Sequence, residues 1–254
     1  MSLFVRTTPF LIALGFFLCA RFFIQQPHSL EWLPVLFLVL LLGIGQVVIR
    51  DDLRSSSYWL LILAPLMLAF SAILFVGILA NSIWTTLVLV AVAVLLFWFF
   101  QNLLLFAHHD ERYQPHAIEN ISTYANLISV FFLSSTLASL LLYIRISQYA
   151  LLAFGAAAFF LFVLQMLWVN KLSLRENIAY LFILPLMLVQ LLWTVFWLPT
   201  NFFVAGALIT LMYYAVTNLA RQHLLDRLEA SVARRYLIIA FVGVLITLST
   251  AQWT

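Results

Sequence analysis

The sequence predicts an all-α fold: a polytopic bundle of about nine membrane-spanning helices, forming one membrane domain over residues 1–254. Three observations predict it. Of the 254 residues, 66% are hydrophobic and only 8% are charged, where an ordinary soluble domain has roughly 45–50% and about 25%. Mean hydropathy is +1.13. The apolar residues also gather into runs near the ~20 residues that a helix needs to cross a hydrocarbon core. A soluble enzyme, a disordered tail and a disulfide scaffold are excluded. A membrane β-strand would alternate apolar and polar residues over about ten positions, whereas these runs are apolar on every side.

The first run, 8–26, follows Arg6 and resembles a signal peptide. No small-x-small cleavage site follows it, and Phe16-Phe17-Leu18 before Cys19 is a poor lipoprotein site. It reads as an uncleaved first span. The second run is 31–49, and Arg50 and Arg54 separate it from the third, 58–79. Only Ala80-Asn81-Ser82 divide the third run from the fourth, 83–106, so the pair reads as a tight hairpin. A polar connector follows. The fifth run, 121–144, ends at Arg145, and the sixth, 148–169, is closed by Lys171 and Arg175. The seventh, 177–198, and the eighth, 201–220, form a second hairpin through Leu198-Pro199-Thr200. The ninth is a terminal helix over 236–252. The longest stretches outside the runs are about 15 residues, too short for a soluble domain.

Basic residues orient the spans, because Lys and Arg are retained on the cytoplasmic side. With the N-terminus inside, Arg6, Arg50, Arg54, Arg112, Lys171, Arg175, Arg221, Arg227, Arg234 and Arg235 are cytoplasmic, and only Arg21 and Arg145 are outside. The bias places the N-terminus inside and the C-terminus outside.

The two hairpins suggest a parallel 4+4 repeat, with halves 1–115 and 116–225. Pro65-Leu66-Met67-Leu68 recurs as Pro185-Leu186-Met187-Leu188, and Asn81 matches Asn201. Arg21 matches Arg145, Arg50 and Arg54 match Lys171 and Arg175, and Asn102-Leu103 matches Asn218-Leu219.

No ionisable residue falls near the middle of a span, where such groups mark ion or proton paths. Uncharged polar residues are frequent there. Gln46, Asn102, Gln165 and Asn218 are candidates for a polar cavity between the halves, and interhelical hydrogen bonds are the structural alternative. The densest polar cluster is His108-His109-Asp110-Glu111 with His116 and Glu119. It has no recognised metal-ligand spacing, and Pro115 interrupts it. No metal and no cofactor are expected. Over Arg221–Arg235, Leu224, Leu225, Leu228 and Val232 share a helical face. A surface helix continuing the eighth span is expected, with a break near Ala230-Ser231. Arg221, Arg227, Arg234 and Arg235 would contact lipid headgroups or a partner.

The ending carries Arg221-Gln222-His223-Leu224-Leu225, Ala233-Arg234-Arg235-Tyr236-Leu237 and Thr250-Ala251-Gln252-Trp253. Over the last third, it is similar to uncharacterised multi-spanning membrane proteins of candidate-phylum bacteria. The resemblance implies a bacterial cytoplasmic membrane and assigns no activity or site residue.

The net charge of +3 is small and dispersed, so nucleic acid is not expected as a partner. The paired-aspartate, GxSG and paired-glutamate motifs of intramembrane enzymes are missing, so no catalytic residue is assigned; Glu31 would be the only outer carboxylate. The reading is a non-catalytic subunit or scaffold that binds lipid and other membrane proteins, or itself. The alternative is a transporter or flippase for a neutral or amphipathic substrate.

Overall fold

The computed structural model describes residues 3–26, 32–49, 56–108, 114 and 116–251. Among the described residues the chain is all-helical. In order, the helices are α1 (Leu3–Gln25), α2 (Trp32–Ile49), α3 (Ser56–Gly77), α4 (Ser82–His108), α5 (Ala117–Ser139), α6 (Gln148–Val169), α7 (Ile178–Phe196), α8 (Phe202–Leu224) and α9 (Ala230–Ser249). A π turn, Leu140–Ile144, closes α5. Eight of the helices are long and apolar enough to cross a membrane, and α2 has a shorter apolar stretch, Trp32–Gly43. The chain is a helical protein of membrane type.

The two hairpins close as their turn residues dictate. Asparagine readily caps a helix because its side-chain oxygen accepts from an orphan backbone donor. Asn81 Oδ1 accepts from the Ile83 N–H at 2.8 Å. Asn201 Oδ1 accepts from the Val204 N–H at 2.9 Å. Both asparagines therefore start the second helix of a hairpin.

Contacts divide the chain into two units, Met1–Ser129 and Val130–Thr254. The boundary between them lies inside α5. In the first unit α1 packs on α2 and α4, with Phe16 and Phe37 edge to face at 5.5 Å. Phe16, Leu89, Leu96 and Phe100 are fully buried. In the second unit, Phe162 of α6 meets Tyr213 of α8 at 6.1 Å, and Phe160 meets Phe182 of α7 at 5.8 Å. Pro65 and Pro185 sit inside α3 and α7, as expected.

The segment 221–235 differs from its expected form. α8 continues to Leu224 and then stops in a Schellman turn, where the Asp226 N–H donates to the His223 carbonyl at 3.1 Å and the Arg227 N–H to the Gln222 carbonyl at 2.9 Å. Asp226 takes the left-handed conformation, φ 53. α9 starts at Ala230, six residues before the expected 236. The connector is thus five residues long rather than a fifteen-residue surface helix. Leu224, Leu225, Leu228 and Val232 fall in different elements and do not form one helical face. The break expected at Ala230-Ser231 comes before Ala230, because the Schellman bonds have already terminated α8.

The end of α6 repeats this turn. The Lys171 N–H donates to the Trp168 carbonyl at 2.8 Å and the Leu172 N–H to the Leu167 carbonyl at 3.0 Å, with Lys171 at φ 58. A left-handed non-glycine residue costs about 1–2 kcal/mol. Glycine removes that cost but adds about 0.5–1 kcal/mol of unfolded-state entropy. Asp226→Gly and Lys171→Gly are each expected to stabilise by about 0.5–1 kcal/mol. Thermal unfolding in detergent measures it; a lower midpoint would show that the side chains hold these turns.

Candidate functional site

α5 is the most polar of the buried helices. Ser122, Asn126, Ser129 and Thr136 recur at helical spacing and are all buried, as are Ser134, Ser135 and Ser139. The carboxylate of Glu119 opens the helix, 3.6 Å from Nδ1 of the exposed His116. Ser122 and Ser129 join this buried row although the sequence analysis assigns them no role. Their signal was the 3.6-residue period of small polar side chains, a pattern that stands out only when the apolar positions between them are ignored.

Most polar side chains in the spans are satisfied within their own helix. Asn102 Nδ2 donates to the Trp98 carbonyl at 2.9 Å, and Asn218 Nδ2 donates to the Tyr214 carbonyl at 2.8 Å. Ser129, Thr136, Thr210 and Thr217 donate in the same way to carbonyls four residues back. This back-bonding is the ordinary alternative to contacts between helices. Of the four cavity candidates, Asn102 lies in the first unit, Gln165 and Asn218 in the second, and the Gln46 side chain lies outside the described residues. Gln165 is buried on α6. Asn102 and Asn218 thus each use an amide donor on their own backbone.

The hydroxyls of Ser134 and Ser135 are buried and have no hydrogen-bond partner among the described residues. Ser135 faces Gly206 of α8. A Cβ added at Gly206 would overlap the Ser135 hydroxyl and stand 3.0 Å from the Phe131 carbonyl. Small residues allow this closeness, as the Ala205-Gly206-Ala207 run suggests. Nearby, a Cβ at Gly155 would meet Leu192 at 2.9 Å and Leu137 at 3.5 Å. Glycines on α6 and α8 therefore set how closely α5 and α7 approach them.

Basic residues mark the α8–α9 end. Arg221 is half-buried on the last turn of α8, and its Nε has no hydrogen-bond partner among the described residues. Arg227 lies in the connector; Arg234 and Arg235 lie on the second turn of α9, and these three are exposed. Glu229 precedes α9 and accepts from the Ser231 hydroxyl at 3.3 Å. Tyr180 and His223 meet nearby with tilted rings at 6.2 Å, and Tyr214 meets Tyr236 at 5.8 Å. Cationic and aromatic groups together at span ends suit a membrane–water boundary.

In the connector before α5, His109, Asp110, Glu111 and Arg112 lie outside the described residues, as do His28, Glu31, Arg50 and Arg54. Both ring nitrogens of His108 are buried without a partner among the described residues. Among those residues no three His, Cys, Asp or Glu side chains group as metal ligands.

These features define a class: a multi-helical membrane-type protein, many of whose polar side chains bond within their own helices. The chain belongs to the DUF5656 family, described as a protein of unknown function, whose model matches residues 9–250. No curated protein and no solved structure matches it.

Proposed function

We propose that the protein is a non-catalytic subunit or scaffold of a bacterial inner membrane, holding another membrane-spanning protein against its exposed helices. The observation that carries this reading is α9. It is a 20-residue apolar helix that is almost wholly exposed or half-exposed. Ala240 is its only buried residue, and Tyr236 and Gly243 lie on the same stripe, against Tyr214 and Leu211 of α8. Leu237, Ile238, Phe241, Leu245 and Ile246 are exposed. In lipid, helices associate through close packing and hydrogen bonds, since lipid tails are as apolar as leucine. An apolar helix with one stripe engaged has its remaining surface open to lipid tails and to close packing with a partner helix.

The self-satisfied amides of Asn102 and Asn218 support this reading over a transporter or flippase, which would turn such groups into a cavity. The basic bias supports an N-terminus inside, with Arg221, Arg227, Arg234 and Arg235 at the inner headgroups. The two asparagine-capped hairpins support a 4+4 duplication.

The test is purification in mild detergent. A stoichiometric membrane-protein partner, or a defined homo-oligomer, is expected. Replacing Ile238, Phe241 and Leu245 together by alanine should release it and leave the helical content unchanged. A strictly monomeric wild-type particle overturns the reading.

A further inference from the structure

α1 and α4 form a second feature, independent of the scaffold reading. Arg21, near the end of α1, reaches Thr86, near the start of α4, so the two helices run antiparallel. Between them lies an open groove of about 410 Å³. Its lining is entirely apolar: Phe10, Ala13, Leu14 and Phe17 from α1, and Val90, Ala93, Val94 and Phe97 from α4. Ala13, Ala93 and Phe17 are half-buried and make the floor; the other five are exposed and make the walls.

The groove has a polar end. On α1 the residues 10, 14, 17 and 21 recur at helical spacing, so Arg21 continues the lining stripe one turn beyond Phe17. On α4, Thr86 stands one turn before Val90 in the same way. Arg21 Nη1 donates to Thr86 Oγ1 at 3.5 Å, a long bond. Thr86 Oγ1 in turn donates to the Ser82 carbonyl at 2.8 Å, which fixes its lone pairs toward the arginine. A guanidinium has five N–H donors, and among the described residues Arg21 has no carboxylate partner. Its charge therefore awaits an anion at the mouth of an apolar slot.

The dimensions select the occupant. Phe10 to Arg21 is eleven residues, about 16 Å at 1.5 Å per residue. One leaflet of the hydrocarbon core is about 15 Å deep. A small floor between bulky phenylalanine and valine walls accepts a thin flexible chain. A protein helix instead needs small residues at the rim to bring backbones together, and the rim here is Phe10, Leu14, Val90, Val94 and Phe97. We propose that this groove holds an acyl chain of an anionic glycerophospholipid whose phosphate is bound by Arg21.

The test is lipid binding by the full chain in detergent, read by native mass spectrometry during titration with phosphatidylglycerol or phosphatidylcholine. The wild type is expected to prefer phosphatidylglycerol. Arg21→Gln should reduce that preference about fivefold, the factor for one basic side chain near an anionic headgroup, and Arg21→Lys should largely keep it. Ala13→Phe with Ala93→Phe should fill the slot and remove the bound lipid. Equal binding of the two lipids by the wild type overturns the proposal, as does an undiminished preference in Arg21→Gln. So does a dimer lost in the Ala13→Phe/Ala93→Phe variant while lipid binding persists, since that outcome gives the groove to a second copy. If that double variant fails to fold, the two Arg21 variants alone decide.

Discussion

Gly206→Ala is expected to destabilise the protein by about 1–3 kcal/mol, the range for overfilling a packed site. The added Cβ would collide with the Ser135 hydroxyl and crowd the Phe131 carbonyl at 3.0 Å. The hydroxyl can rotate; the carbonyl belongs to the backbone of α5 and cannot. α8 must therefore move away from α5, and in lipid close van der Waals packing is a main force that holds them. Pairing the change with Ser135→Gly should recover part of the loss by removing the side-chain half of the collision. Thermal unfolding in detergent measures both variants. An unaltered midpoint in Gly206→Ala would show that α5 and α8 are not in contact at this seat.

Neutralising Arg227, Arg234 and Arg235 together to glutamine is expected to weaken the orientation of the chain. Each arginine near an anionic surface contributes about 1 kcal/mol, so three contribute about 3 kcal/mol, or roughly a hundredfold in the preference for one side. In the parent chain, a reporter after Thr254 should read outside and one within 107–119 should read inside. In the triple variant both should become mixed. Unchanged reporters and unchanged protease sensitivity at 225–229 would show that protein contacts hold this end, with headgroups playing no part.

The extent to which the sequence revealed these features follows from their physical range. Helices α1 to α8 and their hairpins were legible because hydrophobic run length and the shortness of the separators are local signals. Asn81 and Asn201 carry their role in their own side chains. The end of α8 was not legible. A Schellman turn is usually announced by glycine, and here the left-handed position is Asp226, as it is Lys171 at the end of α6. With no glycine to mark the stop, an amphipathic run over 221–235 reads as continuous helix. The seat at Gly206 was legible as a small-residue run, but its partner Ser135, seventy-one positions away, follows only from the packing. The polar residues are visible in the sequence, but the hydrogen bonds they make are not. Asn102 and Asn218 each donate to a carbonyl of their own helix, a choice that depends on rotamer and neighbours rather than on sequence.

Those back-bonded side chains bear on how the protein is made. A buried polar group in hydrocarbon costs several kcal/mol when unsatisfied. A span that brought such groups in open form would have to wait for a neighbour before leaving the translocation channel. Ser129, Thr136, Asn102, Thr210, Thr217 and Asn218 already donate to carbonyls of their own helices. Each of these spans therefore enters lipid with those donors closed, as soon as its own backbone has coiled. By the same argument α5, whose Ser122, Ser134 and Ser135 hydroxyls are not closed in this way, is the span expected to depend on its neighbours during insertion.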